Sequence, residues 1–402
     1  MKRRLHMRFV IKGSALRSLV KLLLMVLLVY QGWYVEKHGV IPYFLQILAV
    51  LIIGLTCVLN MKKLSGRIRM RLPTVEWFLF GLIAFVTGNF GGNSDIVNDA
   101  LFTYFSFFSI CVCAGILAGD GDVAWISWAM ILTTVLCIVS VLFEGYAYKN
   151  GSYYAVTMGP DNNPNKLGMM MAIGTFYLLN PQTKPSRLNW VGRLLLACTC
   201  GFVVLYSGSR SALLCLLAVV AASLFFRFRN LEGSAVGKTV KRMWLFFFFV
   251  VALIFVVLYL QSIGEGTWGI NRLLVEFKEE SYSGRTRLYR AAWSIFLEHP
   301  VFGIGYRCFS SVSSFEYFTH STYMELLSCT GAVGFLLFMG PVLKGTISAV
   351  KTSRTDGGTR LVMMGLFLVG SVFGILYYDL VHMLLLYMTI FNPRNAEKNQ
   401  PA

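Results

Sequence analysis

Arg210 is a charged residue between two apolar runs, in the segment LYSGSRSALLCLL. Serines and a glycine surround it, so the chain turns there with almost no connecting loop. A guanidinium stays charged in proteins, and at membrane depth it must reach lipid headgroups, pair with an acid or bind an anion. Because the turn is tight and no acidic residue is near in sequence, the spacing favours a bound anion, with lipid headgroups as the alternative.

A second group of arginines lies in SYSGRTRLYRAAWSIFLEHPVFGIG, residues 281–305. The spacing predicts a helix over residues 285–298, with Ser283 as its N-cap and Pro300 ending it. A helix with one apolar and one polar face suits the membrane interface. The predicted apolar face consists of Leu288, Ala292, Ile295 and Phe296.

The three arginines of this helix divide between its faces. Arg287 and Arg290 fall on the polar face, where they can be solvated or bind lipid phosphates. Arg285 falls on the apolar side, near the positive end of the helix dipole. An anion bound there would be attracted by both the dipole and the guanidinium. A carboxylate partner such as Glu276 or Glu279 is the alternative.

His320 stands at the start of a later apolar run, in FTHSTYMELLSCTGAVG. An imidazole titrates near neutral pH, so it can act as a general base. A histidine at a helix start can also be a cap or a hydrogen-bond donor. Because His320 follows an arginine-rich segment, we treat it as the candidate catalytic base. His382 lies in the last apolar run and is expected to hydrogen-bond a neighbouring helix.

A third polar segment, MGPDNNPNKLGMM, precedes another apolar run. Its Asn-Pro-Asn sequence indicates a turn. The amides of Asn163 and Asn165, with Lys166 beside them, can also bind sugar hydroxyls. The sequence has no His-x-x-x-His pair and no acidic cluster, so it predicts neither a metal site nor a cofactor.

The composition defines the elements that must position these residues. Hydrophobic residues make up 56% of the 402, charged residues make up 14%, and the mean hydropathy is +0.64. A soluble domain carries about a quarter charged residues. The chain is therefore predicted to be an all-α polytopic membrane protein, with residues 1–402 forming one integral membrane domain. The net charge of +17 is attributed to membrane orientation, so no nucleic-acid partner is expected.

Apolar runs mark about twelve candidate transmembrane helices, each near the length that a bilayer requires. They cover residues 16–35, 41–60, 74–90, 98–118, 123–143, 167–180, 190–207, 211–226, 244–260, 321–343, 361–377 and 379–391.

The charge distribution orients these spans. If the N- and C-termini are cytoplasmic and the spans alternate, the cytoplasmic segments hold 26 of the 36 Lys and Arg residues. That bias follows the positive-inside rule. Most of the remaining cations fall in residues 261–320, which form one large extracytoplasmic loop that carries the short amphipathic helix. Long loops of this kind are often functional.

Together these segments resemble the O-antigen ligase and O-antigen polymerase family of bacterial cell-surface glycan assembly. The matching pieces are SGSRSA at 207–212, SGRTRLYRAAWSIFLEHPVFGIGYRCF at 283–309, HSTYMELLSCTGAVGFLLF at 320–338, and DNNPNKLG at 161–168. The resemblance implies a GT-C-like helical fold in the bacterial inner membrane. It also implies metal-independent, inverting transfer from a glycan on undecaprenyl pyrophosphate.

The resemblance assigns roles by position. Arg210 matches the arginine of the family's Gly-Ser-Arg turn, Arg285 the arginine that opens the loop helix, and His320 the histidine at the next span. These arginines, with Arg287 and Arg290, would bind the pyrophosphate, and His320 would remove the proton from an acceptor hydroxyl. Polymerases join repeat units, whereas ligases move finished glycan to lipid A-core. We expect a polymerase, with a ligase as the alternative.

Two non-enzymatic functions compete with this interpretation. A transporter of lipid-linked glycan would need charged residues near mid-bilayer and symmetry between its halves, and neither is visible. A scaffold that holds anionic lipid or glycan would use the same arginines but would not require His320.

Overall fold

The computed structural model describes residues 13–33, 48–56, 72–90, 94–118, 124–144, 146–150, 153–157, 163–181, 186–229, 282–315, 317–354 and 358–391. The predicted span 244–260, parts of the predicted span 41–60 and residues 261–281 of the predicted loop lie outside this part of the chain.

Helices make up most of the described chain. Near the N-terminus they are α1 (Gly13–Trp33), α2 (residues 48–56), α3 (Leu72–Phe90), α4 (Ser94–Ala118) and α5 (Ala124–Glu144). They continue as α6 (Pro164–Leu179), α7 (Arg187–Ser207), α8 (Arg210–Arg229), α9 (Tyr282–Glu298), α10 (Phe309–Val312), α11 (Thr322–Thr352), α12 (Thr359–Phe373) and α13 (Leu380–Phe391). A short antiparallel hairpin, β1 (Tyr146–Asn150) and β2 (Tyr153–Thr157), connects α5 to α6.

Five of the described helices are long and apolar enough to cross a membrane. A helix satisfies its own backbone hydrogen bonds, as a bilayer requires. The prediction of a multi-pass helical membrane protein is therefore confirmed. The five long segments are Ser14–Trp33, Ile96–Leu117, Ala124–Phe143, Leu188–Ser207 and Thr322–Thr352, and shorter apolar helices cover Thr74–Asn89, Arg210–Phe226, Thr359–Phe373 and Leu380–Ile390.

One end of the helix bundle collects helix ends that are far apart in sequence. Thr322, at the start of α11, donates its N–H and its hydroxyl to the carbonyl of Gly374, at 3.0 and 2.8 Å. Gly168 packs so closely on α8 that a Cβ there would lie 2.5 Å from the Cβ of Ala212. We call this end, formed by the starts of α6, α8, α11 and α13 and the ends of α7 and α12, the site end.

Contacts at the opposite end show that these helices alternate in direction. The Nδ2 of Asn180, after α6, donates to the hydroxyl of Ser223, near the end of α8, at 2.8 Å. Lys344 in α11 pairs with Glu76 near the start of α3. Helices α6 and α8, which are separated by one helix in sequence, therefore run parallel, whereas α3 and α11 run antiparallel. Both relations fit the alternation of the predicted spans.

Buried aromatic rings tie the connections at the site end to the core of the bundle. Trp77 in α3 stacks on Phe338 in α11, with ring centroids 5.2 Å apart, and donates its indole N–H to the carbonyl of Phe338 at 3.1 Å. Tyr306 and Tyr377, from two connections, pack edge to face at 5.8 Å. Such pairs contribute about 0.5–1.5 kcal/mol beyond area burial. The connections that carry candidate site residues are thus anchored in the core.

Helix α11 is interrupted at Gly331, whose φ of 63° and ψ of −168° are not helical. The apolar run 321–343 predicts a continuous helix, and the structure differs because residues 300–305 insert at the interruption. The backbone of these residues hydrogen-bonds to N–H and C=O groups of α11 that the interruption leaves without helical partners. This is important in a membrane, where no water is present to pair with them. The four hydrogen bonds run from Ile304 N to Ser328 O, from Gly305 N to Cys329 O, from Ala332 N to Pro300 O and from Val333 N to Val301 O, at 3.1, 2.9, 2.8 and 3.1 Å.

Two glycines allow this close backbone approach. A Cβ on Gly331 would lie 2.4 Å from the carbonyl carbon of Val301. A Cβ on Gly303, whose φ is 69°, would lie 2.4 Å from the carbonyl carbon of Cys329. Both contacts are with backbone atoms, which cannot rotate away, and both glycines have a positive φ that strains any other residue.

Gly331→Ala is expected to destabilise the protein by about 1–3 kcal/mol through backbone strain, before the steric clash is added. Gly340→Ala is the matched control, because a Cβ at this other glycine of α11 meets nothing within 4 Å. Thermal unfolding of both variants in detergent measures the difference. Equal unfolding midpoints would contradict the tight insertion of residues 300–305.

Candidate functional site

His320 lies on a turn, residues 319–322, whose other members are buried. Thr319, Ser321 and Thr322 are at most 3% exposed, whereas His320 reaches the surface. The hydroxyl of Thr319 donates to the carbonyl of Ser321 at 2.9 Å and accepts its N–H at 3.3 Å. His320 has a φ of 55°, which is uncommon outside glycine. Such strain persists only where the surrounding structure imposes it.

Sequence reasoning missed Glu325, which holds this turn from below. Its side chain is fully buried in the first turn of α11. It accepts the N–H of Thr319 at 3.0 Å and the hydroxyl of Tyr378 at 3.3 Å. The sequence did contain a signal for Glu325: an acidic residue inside a predicted membrane span is energetically costly and is commonly functional. Glu325 therefore fixes the backbone that presents His320.

The loop helix α9 has the predicted apolar face and nearly the predicted ends. It begins at Tyr282, so Ser283 lies in its first turn instead of capping it. It ends at Glu298, as Pro300 predicts. Leu288 and Ala292 are buried and Ile295 and Phe296 are half-buried.

Arg285 lies on the half-buried side of α9, close enough to His320 and Tyr289 for its charge to act on both. The hydroxyl of Tyr289 donates to the carbonyl of Val372 at 3.0 Å, which fastens α9 over the end of α12. The structure thus brings together two of the predicted site residues, Arg285 and His320.

The electrostatics of this pair favour a neutral imidazole. Partial burial lowers the pKa of His320, and the guanidinium of Arg285 lowers it further. Near neutral pH the ring is therefore unprotonated, which is the form that accepts a proton. The alternative partners of Arg285 named above, Glu276 and Glu279, lie outside the described residues.

Arg287 and Arg290 lie on the exposed face of α9, as predicted. Arg290 borders a shallow groove of about 380 Å³ along this helix. Trp293 and Leu297 in the groove are 47% and 62% exposed. An arginine beside exposed apolar side chains suits a membrane interface, so binding of lipid phosphate or of substrate phosphate stays open for both arginines.

Arg210 is the first residue of α8, directly after the predicted tight turn. Ser207 and Ser209 in this turn are buried. The hydroxyl of Ser209 accepts the N–H of Ala212 at 3.3 Å and so caps α8. Arg210 itself is half-buried at the site end.

The Asn163 segment forms the start of α6. Asn163 caps the helix by accepting the N–H of Asn165 at 2.8 Å. Lys166 reaches Asp379, just before α13, with Nζ 3.8 Å from Oδ2. The Nδ1 of His382 lies 2.8 Å from Oδ1 of the same carboxylate. His382 was expected to bond a neighbouring helix, but its partner among the described residues is Asp379, which directly precedes its own helix.

The short segment between α12 and α13 links these groups. Leu376 donates its N–H to the hydroxyl of Thr322 at 3.0 Å, next to the His320 turn. Tyr378 bonds to Glu325, and the following residue, Asp379, meets Lys166.

The described structure therefore connects the His320 turn and the Lys166–Asp379 pair through one segment. The convergence of Arg210, Arg285 and His320 on one cavity stays a prediction.

One comparison with known proteins bears on this site. Residues 194–339 match the family model described as O-antigen ligase. The matched range runs from within α7 to beyond the interruption of α11, and the Asn163 segment and Asp379 lie outside it. No curated protein sequence matches the chain. The range contains Arg210, Arg285, Arg287, Arg290 and His320.

Arg285→Gln is expected to raise the pKa of His320, because it removes the positive charge that disfavours protonation. Diethyl pyrocarbonate attacks neutral imidazole, so its reaction with the His320 peptide, followed by mass spectrometry across pH, reports this pKa. Arg290→Gln, on the exposed face of α9, should leave the pKa of His320 unchanged. If the midpoint of the His320 reaction across pH is the same in Arg285→Gln as in the native protein, the charge of Arg285 does not act on His320.

Glu325→Leu is expected to lower stability by about 1–3 kcal/mol for each buried donor left unpaired. Glu325→Gln should lose much less, because its carbonyl still accepts the N–H of Thr319. Glu298→Leu, on the exposed end of α9, is the matched control. Unfolding midpoints in detergent test this order, and a Glu325→Leu variant as stable as Glu298→Leu would show that Glu325 does not hold the turn.

Proposed function

We propose that the chain is a membrane glycosyltransferase of the O-antigen ligase and polymerase family, on the basis of the family model that matches residues 194–339. It moves a glycan from undecaprenyl pyrophosphate onto a sugar hydroxyl, most directly as a repeat-unit polymerase of O-antigen, capsule or exopolysaccharide. The observation that carries this proposal is His320 on its strained turn, where partial burial and the charge of Arg285 both lower its pKa.

Each candidate residue has a role in this reaction. The acceptor oxygen forms a bond to the anomeric carbon as the bond from that carbon to the pyrophosphate oxygen breaks. The hydroxyl proton passes to the ring of His320, and undecaprenyl pyrophosphate leaves with the bonding electrons. Arg285 and Arg210 stabilise its growing negative charge, with Arg287 and Arg290 as further phosphate ligands. Attack from the side opposite the leaving group inverts the anomeric centre without a metal ion or other cofactor.

The proposal includes a placement in the membrane. We place the chain in the bacterial inner membrane with about twelve spans in a GT-C-like arrangement. Both termini are cytoplasmic, and the site end and residues 261–320 face outward. The lipid tail of the donor lies between helices, so its pyrophosphate meets the arginines at the membrane edge. Membrane lipids and a glycan or glycolipid acceptor are the other partners.

The alternative is a ligase that transfers the glycan to lipid A-core. The family model that matches residues 194–339 is described as O-antigen ligase, which keeps this alternative open. Both enzymes break the same bond and use the same arginines and base. The acceptor alone separates them.

His320→Ala is expected to slow transfer by about 100- to 10,000-fold, the range for loss of a general base. Purified protein in nanodiscs is given the lipid-linked repeat unit isolated from cells that lack this chain, and products are separated on a gel. Longer glycans identify a polymerase, and transfer to added lipid A-core identifies a ligase. His299→Ala, an exposed histidine that follows α9, is the control. Full activity in His320→Ala would show that His320 is not the general base. No turnover by the native protein would favour a scaffold.

A further inference from the structure

Three charged or ionisable side chains meet beside the proposed reaction centre in otherwise apolar surroundings. They are Lys166 of α6, Asp379 before α13, and His382 of α13. The neighbouring Leu167 and Leu380 are almost fully buried. The general reaction chemistry described above uses neither Asp379 nor His382.

The hydrogen bonds of this cluster are incomplete within the described part of the chain. One carboxylate oxygen of Asp379, Oδ1, accepts the N–H of His382 at 3.0 Å and lies 2.8 Å from its Nδ1. The other, Oδ2, has only the Nζ of Lys166 at 3.8 Å, which is too far for a hydrogen bond. The Nε2 of His382 is buried and has no hydrogen-bond partner among the described residues. Buried polar atoms are nearly always paired, so the unpaired Nε2 of His382 needs an explanation.

The gap between Lys166 and Asp379 is bordered by two partly exposed side chains. Their side chains are 25% and 20% exposed, whereas that of His382 is 7% exposed. A separation of this length between two polar atoms commonly holds a bridging group. The cluster is therefore a partly open polar site with a buried base.

The position of the cluster connects it to the reaction centre. Asp379 directly follows Tyr378, whose hydroxyl bonds to the Glu325 that supports the His320 turn. Lys166 lies half a turn before Gly168, which packs on the turn preceding Arg210. A molecule bound between Lys166 and Asp379 would thus lie between the elements that carry Arg210 and His320.

The charges select the ligand. A free anion would meet the Asp379 carboxylate, and a free cation would meet the ammonium of Lys166. A hydroxyl both donates and accepts, so it can donate to Oδ2 of Asp379 while accepting from Nζ of Lys166. A second hydroxyl can pair with the Nε2 of His382. Adjacent hydroxyls on one neutral ring are the signature of a sugar.

We propose that Lys166, Asp379 and His382 bind hydroxyls of the acceptor sugar, and so position the hydroxyl that His320 deprotonates. This inference rests on the proposed function. Ordered water in the gap, with the ion pair acting only to fasten α6 to α13, is the competing explanation.

Asp379→Asn is expected to raise the half-saturating concentration of lipid-linked repeat unit about 10- to 100-fold, the effect of losing hydrogen bonds to a charged group. The maximal rate should change less. Asp99→Asn, an exposed carboxylate in α4, is the matched control. Undecaprenyl pyrophosphate without glycan is the second probe, and its binding should be equal in native protein and Asp379→Asn but reduced in Arg285→Gln.

The outcomes separate the two proposals. If native protein fails to bind undecaprenyl pyrophosphate, the proposed function is overturned and the acceptor site with it. If that probe binds but Asp379→Asn retains native half-saturation, the acceptor site alone is overturned. If Asp379→Asn lowers the unfolding midpoint but leaves the half-saturating concentration unchanged, the ion pair only fastens α6 to α13. Should Asp379→Asn fail to fold, Lys166→Gln, which changes the more exposed partner, must show the same rise.

Discussion

Four backbone hydrogen bonds across the interruption of α11 determine where the candidate catalytic groups lie. They join residues 300–305, which follow the arginine-bearing helix α9, to the helix that begins at the His320 turn. In a bilayer, withdrawal of this loop would leave backbone groups unpaired, each at a cost of several kcal/mol. These bonds therefore join the loop that follows the helix of Arg285 to the helix that follows His320, although the two residues are distant in sequence.

The features that the sequence predicted are those written in local residue patterns. Apolar runs of bilayer length predicted the helices, and Pro300 predicted the end of α9. Serines around Gly208 predicted the turn before Arg210, and Asn163 its own turn at the start of α6. Arg285 was assigned to the apolar side of its helix from spacing alone, and the structure half-buries it there. Each of these signals lies within one continuous stretch of chain, so no distant residue was needed to interpret it.

The features that were missed depend on residues far apart in the chain. Nothing local distinguishes Gly331 from a glycine that packs within a continuous helix, because its interruption is specified by the backbone of residues 300–305. In the sequence, Glu325 is a single acidic residue in an apolar span. Its support of the His320 turn is visible only from its hydrogen bonds with Thr319 and Tyr378. The partner of His382 was missed for another reason: attention to neighbouring helices obscured the carboxylate of Asp379 in its own connection.

The arrangement at the site end favours an enzyme over a scaffold. A surface that only retains anionic lipid or glycan needs accessible arginines, such as Arg287 and Arg290 provide. Such a surface does not need a histidine held at a positive φ by a buried carboxylate. The backbone strain costs about 1–3 kcal/mol and would not strengthen binding. Placing an arginine beside this histidine further keeps the imidazole neutral, which weakens its attraction for anions. A neutral, rigidly presented imidazole next to a cation is suited to proton transfer during the departure of an anionic leaving group.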